Sequence, residues 1–129
     1  MTTKPRTKNE LSSDETNNYW AAYFIVSDAL SLCRGKLLTQ ENNATDPANR
    51  GICRAARGKL DTHIESMQTM KYRFNDGRSK VTPPAAEQIR SLAMVSAKVT
   101  GFSGDPARLA EVIELTTDIV TKFQTLQEP

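Results

Sequence analysis

The chain has one histidine, one tryptophan and two cysteines, and its formal net charge is only +2 over 129 residues. Each scarcity excludes a class of function. A single histidine, His63, cannot supply a two-histidine metal site, and the Glu-x-x-His pairs of carboxylate-bridged bundles do not occur, so no metal or cofactor is expected. Cys33 and Cys53 are too few for a disulfide scaffold or a cysteine-built metal centre. No stretch approaches the roughly 18 apolar residues of a membrane span. The N-terminus also lacks the basic–apolar–small pattern of an export signal, so a cytoplasmic location is expected. A phosphate loop is missing too: Gly101-Phe102-Ser103-Gly104 is short and has no Walker lysine.

What is present is helical pattern. Residues 1–11 are dominated by Thr, Lys, Asn, Pro and Arg and read as a disordered basic tail, leaving 12–129 as a single domain. Ser12-Ser13-Asp14-Glu15 matches a capping box, and Tyr19, Tyr23, Val26, Leu30, Cys33 and Leu37 then recur on one helix face. Asp46-Pro47 opens a second helix with Cys53, Ala56, Leu60, His63 or Ile64, Met67, Met70 and Phe74 inward, stopped by Asn75-Asp76-Gly77. Thr82-Pro83-Pro84 opens a third, although Val95, Ala97 and Val99 also alternate as a short strand would. Asp105-Pro106 opens a fourth, with Leu109, Val112, Ile113, Ile119, Val120, Phe123 and Leu126 inward. The spacing therefore predicts an all-α fold, an antiparallel four-helix bundle with short loops.

Two surface features stand out. Between Asp46 and Lys80 there are eight basic residues against four acidic ones, and Arg50, Arg54 and Arg57 share one helix face. Such a stripe suits a carboxylate or phosphate partner, because guanidinium groups pair bidentately with either. Glu111, Glu114 and Asp118 form an acidic counterpart on the fourth helix and are the first candidates for internal pairing. The second feature is Tyr19-Trp20-Ala21-Ala22-Tyr23-Phe24, four of the eight aromatics in six residues. Successive helix residues point about 100° apart, so not all four can face one core. Tyr19 and Trp20 are therefore candidate partner-binding residues alongside the arginines.

A catalytic alternative rests on one segment. Arg57-Gly58-Lys59-Leu60-Asp61-Thr62-His63 resembles the Arg-x(4–6)-His signature of the HEPN ribonuclease superfamily, whose members are small helical bundles. The resemblance implies Arg57 and His63 as the catalytic pair at a shared dimer interface, with the arginine stabilising charge on the scissile phosphate. Gly58 stands where that family usually has a polar residue, and the segment lies on the second helix, not a later one.

With so few catalytic groups, the leading reading is a non-enzymatic protein–protein interaction module. Small adaptors, inhibitors and phage or bacterial accessory proteins are built this way. Its expected partner is another protein or a second copy of itself, and nucleic acid is less favoured at this net charge. A third reading, an apolar-ligand binder, takes Met67 and Met70 as pliable walls.

Overall fold

The Ser12 hydroxyl accepts the Glu15 amide at 3.1 Å while the Glu15 carboxylate accepts the Ser12 amide at 2.9 Å, so the chain enters its first helix as the sequence predicts. The computed structural model describes residues 4–101 and 108–128. Its helices are α1 (Ser13–Asn43), α2 (Pro47–Asn75), α3 (Ala86–Thr100) and α4 (Leu109–Gln124). Asp46 caps α2 by accepting the Ala48 amide at 3.0 Å, with Pro47 in the first turn. Gly77, at φ +70°, supplies the left-handed residue that ends α2.

The third helix begins later than Thr82-Pro83-Pro84 suggests. A following proline disfavours helical geometry at Thr82 and Pro83, and Ala85 is itself extended (φ −75°, ψ 162°) as the cap, so the helix runs from Ala86. Residues 86–100 are helix throughout, which settles the strand alternative for Val95–Val99. The expected start at Asp105-Pro106 lies outside the described residues.

All six residues of the predicted α1 face, from Tyr19 to Leu37, are buried. They meet Cys53, Ala56, Leu60, Met67 and Phe74 of α2, Leu92 and Val99 of α3, and Val112, Ile119, Val120 and Phe123 of α4. The Tyr19 ring stacks on Phe74 at 3.8 Å and tilts against Phe123 at 5.6 Å, so the starting end of α1 lies beside the closing ends of α2 and α4. The Lys36 ammonium donates to the Thr100 carbonyl, which places the end of α3 beside the far half of α1. Consecutive helices are thus antiparallel, in a four-helix bundle. The α2–α3 connection crosses the base and sets α3 alongside α1 in the same direction.

The connection is also where the disordered-tail expectation fails for residues 4–11. The Arg6 amide donates to the Val81 carbonyl at 2.9 Å, and the Val81 amide returns the bond at 2.8 Å. The Arg6 guanidinium pairs with Glu15, and Leu11 packs on the core. On its other side Val81 is bridged to Gln127, with Glu128 donating to Lys80 at 2.8 Å. Burying the Val81 side chain takes its backbone polar groups out of water, and Arg6 supplies the partner of each, while the C-terminal segment pairs with the flanking Lys80 carbonyl and Thr82 amide. Residues 1–3 lie outside the described part.

A candidate protein-docking face on α1 and α2

Helix α1 carries four aromatics within six residues, and the 100° step distributes them in order of depth. Tyr19 is fully buried, Tyr23 is buried, Trp20 is half-buried and Phe24 is 54% exposed. Tyr19 therefore touches no partner from the surface, contrary to its place among the expected binding residues. Its hydroxyl instead donates to Gln127 Oε1 at 2.7 Å inside the bundle. Trp20 wedges edge-on against Phe74 at 5.4 Å and stacks its outer side on Phe24 at 5.9 Å, so it supports the exposed ring from beneath.

Helix α2 adds a second exposed ring. Tyr72 lies two residues from both Met70 and Phe74, about 200° round the helix from each, and is 61% exposed. The Lys71 ammonium sits 5.2 Å from the centre of the Tyr72 ring, a cation–π contact. Between the two helices is a cavity of about 190 Å³, lined by Phe24, Asp28, Ile64, Met67, Gln68 and Lys71, among others. Tyr72, Asp28 and Lys71 were not singled out by sequence reasoning, and Phe24 entered only as a member of the aromatic cluster. For Tyr72 the signal was available, since Met70 and Phe74 on the core face turn it outward.

The arginine stripe lies elsewhere and has another job. The Arg54 and Arg57 Nε groups each donate to one oxygen of Glu41 at 3.0 Å, and Arg50 Nη2 donates to the Ala44 carbonyl at 2.8 Å. Helix α1 has no basic residue in its last turn, so α2 supplies the cations that its negative helix end attracts. The predicted internal partners Glu111, Glu114 and Asp118 take no part in the ion pairs found among the described residues. Glu41 itself is buried, and the hydrogen bond from Arg54, followed by that from Arg57, holds its carboxyl below the usual range against the opposing effect of burial. Phe24 and Glu41 are 17 residues apart on one helix, about 26 Å at 1.5 Å per residue. Aromatics and arginines are therefore two separate regions.

The candidate catalytic pair diverges. Arg57 turns to Glu41 on α1, whereas His63 Nε2 lies 3.4 Å from the Thr117 hydroxyl on α4. Desolvation pushes the His63 pKa below its ordinary value, which favours the neutral ring. The Cys33 thiol is pushed up to about 11 by burial, and Cys53 is raised by the same cause. Both are free and buried. No cluster of three potential metal ligands occurs among the described residues. None of the helices is long and apolar enough to cross a membrane, again among the described residues.

A larger groove of about 560 Å³ lies between α2 and α4, with Met70, Arg73, Ser79, Gln124 and Gln127 on its walls. Met67 is absent from that lining and belongs to the α1–α2 cavity, so the two methionines do not wall one apolar site. Gln127 is already committed, accepting from Tyr19 and donating to the Met70 carbonyl at 2.7 Å. Compared with protein-family models, with curated proteins and with solved structures, the chain matches none of them.

Proposed function

We propose that the protein is a non-enzymatic protein–protein interaction module whose docking face is formed by Phe24 and Tyr72, backed by Trp20. One observation carries this reading: Phe24, more than half exposed, lines a cavity between α1 and α2, and the more than half exposed Tyr72 ring lies against Lys71 of that lining. Leaving such rings in water forgoes the stabilisation of roughly 1.5–3 kcal/mol that full burial of a Phe-sized side chain brings, and a partner recovers it. Aromatic anchors rimmed by polar and charged groups are the usual energetic centres of interfaces. Here Gln68, Asp28 and Lys71 supply the rim. We place the protein in the cytoplasm, a reading supported by the two free thiols.

The ribonuclease alternative draws little support, because Arg57 is held by a carboxylate and His63 faces a different helix. The interaction reading is tested by affinity capture from the source cell with the wild-type chain and the Phe24→Ser, Tyr72→Ser double variant side by side. The expected result is loss of a specific partner at unchanged helicity and melting temperature. An identical captured set from both proteins would overturn it.

A further inference from the structure

We propose that the occupant of the α1–α2 face is a second copy of this chain, docked about a two-fold axis; this rests on reading that face as a docking surface. Size is the first argument. The cavity of about 190 Å³ is smaller than the roughly 300–1,000 Å³ of small-molecule sites, so it suits one inserted side chain better than a metabolite.

The second argument is self-complementarity. A two-fold interface joins the same patch on both subunits, so one patch must carry both the knob and the hole. This one does: Phe24 lines the cavity and also projects, 54% exposed, from its α1 rim. Phe24 of each copy fills the cavity of the other.

Charge points the same way. Asp28 on the α1 wall and Lys71 on the α2 wall both line the cavity. The patch thus holds one charge of each sign on opposite walls, neither of them neutralised by an ion pair found among the described residues. Under a two-fold operation, Asp28 of one copy meets Lys71 of the second, and the reverse pair forms with it. A partner of single charge sign would be attracted by one wall and repelled by the other.

The test is sedimentation velocity on the full chain across the micromolar range, with helicity checked by circular dichroism. Wild type is expected to show a concentration-dependent dimer. Asp28→Lys sets two lysine pairs across the axis, and Lys71→Asp sets two aspartate pairs. Each variant alone should self-associate about a hundredfold more weakly or worse. Mixed in equal amounts, the two variants should dimerise again, because the heterodimer restores both opposite-charge pairs. A monomeric wild type throughout the range would overturn the proposal, as would a dimer that both reversals leave intact, or variants that fail to recover on mixing. If the wild type is monomeric but capture of a different protein still depends on Phe24 and Tyr72, only self-association falls and the docking face stands.

Discussion

Tyr19 and Gln127, 108 residues apart in sequence, share a hydrogen bond of 2.7 Å in the bundle interior. Gln127 passes the connection on through its amide group to the Met70 carbonyl, so one side chain ties α1, α2 and the C-terminal segment together. Both side chains are buried, and each polar atom of the Gln127 amide has a protein partner. Bonds of this kind contribute modestly when made and cost more when half of one is removed.

Tyr19→Phe should accordingly destabilise the fold by about 1–3 kcal/mol, because it leaves the buried Gln127 Oε1 without its partner. Urea unfolding at neutral pH measures it. An unchanged midpoint would mean that the pair contributes nothing.

Glu41 gives the bundle a pH dependence with a definite sign. Its carboxyl is held below the ordinary value of 4.5, chiefly by Arg54 and then by Arg57. Its ionised form is therefore favoured by folding, and the stabilisation is fully present above that value. It is lost as the pH falls below 4.5 through the depressed value. Wild type should melt above Glu41→Gln at neutral pH, and the gap should close on acidification through this window. A gap that is constant with pH would assign the effect to something other than the charge.

Reversing the exposed end of the arginine stripe separates the two surfaces suggested by the sequence. Arg50→Glu with Arg54→Glu removes two of the three arginine hydrogen bonds from α2 to the end of α1 and places new negative charge beside Glu41. The melting temperature should fall, while binding through the Phe24 face persists in the folded protein. Lost binding at constant stability would instead make the arginines the interface.

The cysteines should be silent in the native state. Burial disfavours both thiolates, with Cys33 pushed up to about 11, and the thiolate is the reactive form. A thiol reagent should label both residues rapidly in denaturant and very slowly without it. Rapid labelling of either in native buffer would show that its helix opens easily.

The bundle was legible because its signals are local. The α1 stripe from Tyr19 to Leu37 repeats at helical spacing, and the Ser12 and Asp46 caps lie within three residues of the groups they bond. The same reading missed Glu41 as the arginine partner. That pairing spans 13 and 16 residues around a hairpin and depends on how α1 and α2 register against each other, which periodicity does not give. The backbone pairing of Arg6 with Val81 escaped for a related reason, since a basic, polar segment gives no sign that a buried valine elsewhere needs its amide and carbonyl. In the aromatic cluster the sequence implied that some ring must face outward. Only packing decides that it is Phe24, with Trp20 half-covered and Tyr19 sealed against Phe74 and Phe123.

The most direct measurement of the docking face is photo-crosslinking in the source cell, with a photoreactive phenylalanine analogue in place of Phe24. A second chain carrying the analogue in place of the exposed Glu111 on α4 is the control. The account predicts a discrete covalent adduct from position 24 and none from position 111, with a mass of twice the chain where the captured partner is a second copy. No adduct at position 24, or the same products from both positions, would contradict it.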